Sequence, residues 1–512
     1  MPMFVFLGRF ISFDRLRHRR WRAAVLSCCA TLALTAGALV ATSGTPAVAA
    51  GSLPCDIYAV ANTPCAAAHS TTRALFSAYS GNLYQVKRIS DGATTNIATL
   101  TAGGYANAAT QNSFCANTIC NITEIYDQTS HHNNLTIEGP GGNGAQDFGA
   151  NAAALPITAG GHAVYGLYVS AGVGYRDNAT SGVATGSTGE GTYVVTSGTH
   201  VNNRCCFDYG NAETSGNDTG NGHMDAINFG TECWFAPCSG SGPWVQADLE
   251  NGLFAGANGS DTNNHGNSSL FVTALEKNNG TSTYAIKGGN SQSGSLTTWY
   301  NGALPNIGGY VPMHKEGAIV LGTGGDNSDG SVGSFFEGVM TSGYPTHAAD
   351  NLVQANIVSV GYTGPSTSFP VVGTAYRITN VHSATVLDDT NCVKTNGTLI
   401  DLWASLGNTC QQWKFASVRA GVYTITNVNS ATVLDAVNCG LADGTAVDIW
   451  SSLGNACQQW QVIPTGSGRY ELVVENSGMV LDDTNCGTAN GTKADLWQWL
   501  NSTSCQDWTI AP

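Results

Sequence analysis

Apolar and polar residues change over in short runs along most of this chain. His162–Val169, Thr192–Thr196, Leu270–Ala274, Ser282–Ile286 and Ala318–Leu321 are rich in β-branched, aromatic and small apolar residues, and Gly, Asn and Ser separate them. Runs of this length between turn formers predict strands. After residue 50 no apolar stripe at i, i+3, i+4, i+7 is sustained, so the pattern predicts no long amphipathic helix. Many short strands without alternating helices predict a β-sandwich over residues 51–362. Residues 363–373 (TGPSTSFPVVG), with two prolines and several small polar residues, read as a linker. The fold class expected for the whole chain is all-β.

The pattern then repeats. VLDDTNCVKTNGTLIDLWASLGNTCQQW (Val386 to Trp413), VLDAVNCGLADGTAVDIWSSLGNACQQW (Val433 to Trp460) and VLDDTNCGTANGTKADLWQWLNSTSCQDW (Val480 to Trp508) are one block written three times, with Asp388, Asp435 and Asp482 spaced 47 residues apart. A fixed period of this size means supersecondary units that share one core. Three copies ending in Gln-x-Trp resemble the ricin-type β-trefoil, or carbohydrate-binding module family 13, over residues 374–512. That resemblance implies one sugar pocket per repeat, combining an Asp, an aromatic platform and a polar side chain. The residues are Asp388, Trp403 and Asn408; Asp435, Trp450 and Asn455; and Asp482, Trp497 and Asn501. The indole face would stack on the C–H face of a sugar. Trp413, Trp460 and Trp508 read instead as trefoil core. Three weak sites on one chain gain avidity on a polymer, although a repeat can also serve the fold alone.

Composition narrows the setting. Charged residues make up 11% of the chain, Gly 63 of 512, and the formal net charge is −15. The N-terminus has the order of a signal peptide: a basic region (Arg15, Arg17, Arg19, Arg20, Arg22), an apolar run from Ala23 to Val40, and Ala47-Val48-Ala49. The run is just long enough for a membrane anchor, but Ala, Thr, Ser and Gly dilute it, so residues 1–50 read as a leader and the chain as secreted. Without the leader 14 basic and 34 acidic residues leave −20. Such a surface repels nucleic acid and anionic membranes and is compatible with neutral polysaccharide, or acidity serves solubility only.

Fourteen cysteines remain, and their spacing suggests local bridges: Cys55–Cys65, Cys115–Cys120, Cys233–Cys238, Cys392–Cys410, Cys439–Cys457 and Cys486–Cys505. Metal-ligand spacings are absent, so no metal site is expected. The adjacent Cys205 and Cys206 are left. They are a vicinal disulfide, two free thiols or partners of other cysteines; local pairing of the rest favours the first.

Two stretches carry candidate chemistry. In Gly242–Phe254 the carboxylates Asp248 and Glu250 stand two apart. On a strand they share a face, with Ala247 and Leu249 on the other. Two carboxylates on one face suit glycosidase chemistry, but equally a solvated face or a calcium site. In Leu321–Gly330, Asp326 follows two glycines, which lets a ligand approach the backbone, or the Asp simply caps its own turn. Glu337 and Asp225 are further carboxylates that could take either role.

Together, Cys205-Cys206-Phe-Asp-Tyr-Gly-Asn-Ala-Glu213, Ala247-Asp-Leu-Glu-Asn-Gly-Leu-Phe254, Gly324-Gly-Asp-Asn-Ser328 and Phe336–Tyr344 resemble the α-L-arabinofuranosidases of glycoside hydrolase family 54, over roughly residues 52–362. The resemblance implies a β-sandwich, a retaining mechanism, Glu250 as nucleophile and Asp326 as general acid/base. It also implies that Cys205 and Cys206 form a disulfide against the arabinofuranose ring, that Asp248, Asn251 and Gly325 bind the sugar, and that Trp234 forms a pocket wall. Cys233–Cys238 departs from the family as a bridged loop, and the ricin-type trefoil departs from its usual C-terminal module. No metal or organic cofactor is implied. The expectation is a secreted, monomeric enzyme removing terminal arabinofuranose from plant cell-wall arabinoxylan or arabinan. The alternatives are another exo-glycosidase such as a β-xylosidase, or a non-catalytic carbohydrate-binding protein.

Overall fold

A computed structural model describes residues 51–512 except 117, 365–369, 371–372, 420–421, 467 and 501–503. The leader, most of the expected linker and Asn501 lie outside the described residues. Among the described residues no helix is long and apolar enough to cross a membrane.

Two large antiparallel sheets form the first body, together with a three-stranded one of Gly333–Phe335, His162–Val169 and Leu155–Ala159. One has six strands in the order Cys65–Ser70, Glu337–Ser342, Glu190–Thr196, Val272–Asn278, Thr283–Asn290 and Thr297–Ala303. The other has ten, in the order Leu253–Phe254, Trp244–Asp248, Asp225–Gly230, Asp208–Ala212, Ala318–Leu321, Tyr175–Asp177, Leu135–Ile137, Cys120–Ile125, Asn82–Arg88 and Thr94–Ala98. Period-two alternation decides what each face holds. In the larger sheet Tyr209, Ile227, Phe229, Val245, Ala247, Ile319 and Leu321 point inward. They share one buried cluster with Tyr193, Val195, Val272, Ala274, Tyr284 and Val339 of the smaller sheet. The residues between them face the other way. Register sets Gly210 beside Ala226 and Val320, Ala226 beside Asp248, and Ala212 beside Ala318. That outer face is floored by small residues, with Asp208 and Asp248 standing on it.

Helix His347–Val360 departs from the expectation of no sustained helical stripe. Ala349, Val353, Ile357 and Val360 are buried along one face, but Asp350 and Gln354 are buried with them and break the apolar periodicity. Asp350 is tolerated there because Lys277 and Lys287 each place Nζ 2.6 Å from its Oδ2. Thr346 caps the helix start and Gly361, at φ +64, ends it.

The trefoil spans Ala375–Ala511 as a twelve-stranded antiparallel assembly whose last strand, Trp508–Ala511, pairs with its first, Ala375–Asn380. Each repeat uses the same devices. Trp413, Trp460 and Trp508 are fully buried, and each Nε1 donates to the carbonyl of Leu387, Leu434 or Leu481 at 3.0 Å. Gln411, Gln458 and Gln506 each pin a loop, accepting at Oε1 from Leu406, Leu453 or Leu500 and donating from Nε2 to Ala404, Ser451 or Gln498.

The third repeat docks on the sandwich. Where the first two repeats carry Ser405 and Ser452, the third carries Trp499. Trp499 is buried, lies edge-on to Phe148 and donates Nε1 to Glu471 Oε1 at 2.8 Å. Ile463, Val473 and Val480 join the sandwich core there.

Candidate active site

The pocket grows out of three neighbouring strands and the turns that leave them. The strand reading of Gly242–Phe254 needs correction: the strand ends at Asp248 and the chain then bends. Asp248 Oδ1 accepts the Glu250 N–H at 3.1 Å, and Glu250 and Asn251 adopt left-handed conformations at φ +66 and +55. Non-glycine residues there cost about 1 kcal/mol or more each and persist only where surroundings enforce them. The enforcement is visible: Tyr310 Oη, itself buried, donates to the Glu250 carbonyl at 2.7 Å. Asp248 and Glu250 reach one pocket through this turn, while Ala247 and Leu249 are buried beneath.

Asp326 follows the strand Ala318–Leu321 in the turn Gly324–Ser328. Its Oδ1 accepts Ser328 N–H at 3.0 Å and Ser328 Oγ–H at 2.7 Å, and its Oδ2 accepts from Asn143 Nδ2. So Asp326 caps its own turn and also lines the pocket. Cys206 N–H donates to the Ser328 carbonyl at 2.9 Å, which ties the Cys205–Cys206 pair to the same turn. Those two cysteines are bonded to each other, and Cys206 Sγ lies 3.7 Å from Asp248 Oδ2. The other six bridges join the pairs suggested by spacing.

The walls gather Cys205, Cys206, Trp234, Asp248, Glu250, Asn251, Gly325 and Asp326 around about 230 Å³, room for one sugar residue rather than a chain. Trp234 stands at the rim, 51% exposed, on the Cys233–Cys238 loop. Glu337 and Asp225 lie elsewhere: Glu337 is buried against Arg73, Tyr193 and Tyr362, and Asp225 against Lys315 and Asn278. Both are structural ion pairs, so neither takes a role in this pocket.

Sequence reasoning gave no role to Asn143, Asp208, Glu213, Asp218 or Ser328. The glycine-rich stretch Gly139-Pro-Gly-Gly-Asn-Gly144 was the signal for Asn143. Its loop is stitched to Asp326 by Asn143 N–H to the Asp326 carbonyl, 2.9 Å, and by Asn327 Nδ2 to the Gly139 and Ala145 carbonyls. Asp208 lies fully buried and accepts from Asn228 Nδ2 at 2.8 Å. Crowding of carboxyls sets the electrostatics. Burial pushes Asp208 well above the usual carboxylate range, and nearby Asp248 adds to it. Burial likewise raises Asp248 to about 7, held back by the Glu250 N–H. Glu250 is raised by burial first, then by its hydrogen bond with Glu213 and the fields of Asp248, Glu213 and Asp218.

In the trefoil, Trp403 and Trp450 are each 37% exposed, as a platform must be, and Trp497 is half-buried. Asp388, Asp435 and Asp482 each sit directly across a strand pair from a second carboxyl, Asp401, Asp448 and Asp495. Asn408 Oδ1 caps the following turn by accepting from Cys410 and Gln411 N–H. Asn455 Oδ1 has no partner among the described residues.

The family model described as alpha-L-arabinofuranosidase B, catalytic, matches residues 54–363. That for ricin-type β-trefoil lectin-like domains matches 367–450, 409–499 and 456–512. A probable alpha-L-arabinofuranosidase B of Aspergillus terreus is 54% identical over 388 residues, 73% of this chain and 75% of its own. An arabinofuranosidase/β-xylosidase of Trichoderma koningii is 52% identical over 73% of this chain and 77% of its own. The crystal structure of an arabinofuranosidase complexed with arabinofuranosyl-α-1,2-xylobiose superposes with a TM-score of 0.76 at 36% identity, covering 90% of this chain and 99% of that one. The chain with this candidate site, two carboxyls on opposite turns of a one-sugar pocket walled by a cysteine pair, thus belongs to the alpha-L-arabinofuranosidase B family of glycoside hydrolases and carries a ricin-type lectin domain.

Proposed function

We propose that this chain is a secreted, retaining α-L-arabinofuranosidase that removes terminal non-reducing arabinofuranose from arabinoxylan or arabinan, held on the polymer by its trefoil. The observation that carries the reading is the shared pocket of Glu250 and Asp326, sized for a single sugar and closed on one side by Cys205–Cys206.

In this reading Glu250 attacks C1 of the arabinofuranosyl residue as Asp326 gives its proton to the leaving glycosidic oxygen. The C1–O bond to the aglycone breaks and an ester to Glu250 forms. Asp326 then takes a proton from water, which attacks C1, frees Glu250 and releases arabinose with its configuration retained. Ser328 and Asn143, both bonded to the Asp326 carboxyl, aim it. Asp248, Asn251 and the Gly325 backbone bind sugar hydroxyls, and Trp234 walls the rim. The single-sugar pocket supports exo action. Seven disulfides and the signal-peptide order support an extracellular setting; a monomer remains part of the proposal.

The test is hydrolysis of 4-nitrophenyl α-L-arabinofuranoside by the parent, Glu250→Gln and Asp326→Asn, with arabinoxylan binding measured alongside. The expected loss is about 10³-fold or more in kcat for Glu250→Gln, with polymer binding unchanged. Full activity in Glu250→Gln removes it as nucleophile. Similarity to the arabinofuranosidase/β-xylosidase of Trichoderma koningii favours a second reading, additional β-xylosidase activity in the same pocket. The 4-nitrophenyl β-D-xyloside, run in the same assay, decides it.

A further inference from the structure

One carboxyl buried behind the pocket lining is left without work by that mechanism. Glu213 follows the strand Asp208–Ala212 and is fully buried. Apart from its own N–H and the Glu250 carboxyl, neither of its carboxyl oxygens meets a hydrogen-bond partner among the described residues. One carboxyl oxygen from each of Glu213, Glu250 and Asp218 lies within 4.8 Å of the other two. On the other side of Glu213 are Met224 and Gly325: a Cβ built at Gly325 would meet Glu213 Oε2 at 2.1 Å and Met224 Sδ at 3.0 Å. Gly325 is thus a glycine because the Glu213 carboxyl occupies the space a side chain would need. The nearest cation, Arg176, does not reach that carboxyl. It is paired with Glu138 at 2.8 Å, and it donates to the main-chain carbonyls of Gly325, at 2.8 Å, and of Glu213. Arg176 therefore anchors the backbone under Glu213 and under the turn that carries Asp326.

A buried carboxylate with no donor is expensive, and two such groups in contact do not both ionise. Between Glu213 and Glu250, one proton is therefore held in common. Asp218, Asp248 and Glu316 add negative field around the pair, and Arg176 is the positive group facing it. Attack on C1 requires Glu250 as the anion, and Glu250 is the member that reaches the pocket. We propose that Glu213 is a positioning residue that holds this proton and donates a hydrogen bond to the Glu250 carboxylate, fixing the nucleophile for attack and stabilising it as it leaves. The idea rests on the nucleophile reading of Glu250. Burial raises both carboxyls, while their mutual hydrogen bond lowers Glu213 and raises Glu250, so attack on C1 requires the common proton to pass from Glu250 to Glu213.

The two chemical steps respond oppositely. Charge leaves Glu250 when the ester forms, so the donor hinders that step slightly. Charge returns to Glu250 when water cleaves the ester, so the donor speeds that step. Removing the donor therefore slows release of the intermediate.

The test compares the parent, Glu213→Gln, which keeps a donor, and Glu213→Leu, which keeps the volume without one. Glu250→Gln serves as the control, and its loss of activity secures the nucleophile reading separately. With 4-nitrophenyl α-L-arabinofuranoside, Glu213→Leu is expected to lose about tenfold or more in kcat. It should also lower KM, show a burst of nitrophenol, and move the acidic limb of kcat/KM to higher pH, because Glu250 has lost a donor to its charged form. Glu213→Gln should keep at least a tenth of parental kcat with the parental acidic limb. The proposal is overturned if Glu213→Leu matches the parent in kcat and pH profile, or if Glu213→Gln falls as far as Glu213→Leu. Should Glu213→Leu fail to fold, Glu213→Gln alone decides: a tenth or more of parental kcat supports a protonated Glu213, and less overturns it.

Discussion

The sandwich pocket and the candidate trefoil sites both bring carboxyls close together, on turns in the first and across a strand pair in the second, and they are assembled in opposite ways. The sandwich pocket draws on Asn143, Cys205, Cys206, Asp248, Glu250 and Asp326, with Glu213 behind Glu250, which only the fold brings together. Its backbone is strained at Glu250 and Asn251, and hydrogen bonds from distant loops hold it. Each facing Asp pair of the trefoil is local, made within one repeat from the two strands that follow Thr385, Thr432 or Met479. Catalysis needs several groups fixed against each other, whereas weak binding needs one platform and one acceptor repeated. The difference teaches why one site exists once and the other three times.

The sharpest break between the two is expected at Asp326. Asp326→Asn should cut release of arabinose from arabinoxylan by about 10³-fold, while retention of the protein on the insoluble polymer stays at the parental level. Equal loss of both would mean that the trefoil does not bind independently of the pocket.

Next in size is the division of labour among the trefoil tryptophans. Trp460→Ala should destabilise the chain by about 3–5 kcal/mol, because a fully buried indole and its bond to Leu434 are lost. Trp450→Ala, at an exposed platform, should change stability by less than about 0.5 kcal/mol. Denaturant titration of both variants checks the pair of values.

Avidity gives a smaller effect. Trp403→Ala combined with Trp450→Ala should weaken polymer binding about 10- to 100-fold in a pull-down on arabinoxylan. The kcat/KM for 4-nitrophenyl α-L-arabinofuranoside should stay as in the parent.

The smallest expected effect is a pH slope. Burial raises Asp388 to about 6 and Asp482 to about 7, and facing carboxyls add to both. Asp448 is raised to about 7, again by burial first and then by Asp435. A carboxyl raised in the fold relative to the unfolded chain favours the folded state when protonated. That contribution is full below the unfolded value of about 4 and is lost as pH rises through about 6 to 7. The thermal midpoint should therefore fall between pH 5 and pH 8, and Asp448→Asn should flatten the fall. A midpoint that rises over this range would contradict the assignment.

How much of this was legible follows from the same contrast. The trefoil was readable because its signals are near neighbours in sequence: each Asp, each cysteine and each Gln-x-Trp recurs after 47 or 48 residues, and a period survives without any knowledge of the fold. The strands Ala318–Leu321 and His162–Val169 were readable from their run of apolar residues. Helix His347–Val360 was not, because buried Asp350 interrupts its stripe and is neutralised only by lysines on two distant strands. The Asp248–Glu250 pair was found by assuming an extended strand, although the chain turns there, held by Tyr310 from 60 residues away.

Sequence by itself determined the all-β class, the threefold block and the local disulfides, since each depends on residues close along the chain. The motifs around Cys205, Glu250 and Asp326 also marked the family. Tertiary structure alone decided which carboxyls share a pocket, sending Asp225 and Glu337 into structural ion pairs. It alone set Glu213 against Glu250 and docked Trp499 on the sandwich. The physical reason is that a carboxyl's role is fixed by what surrounds it, by burial, by the nearest donor and by the nearest charge, and those neighbours come from parts of the chain that no local pattern connects.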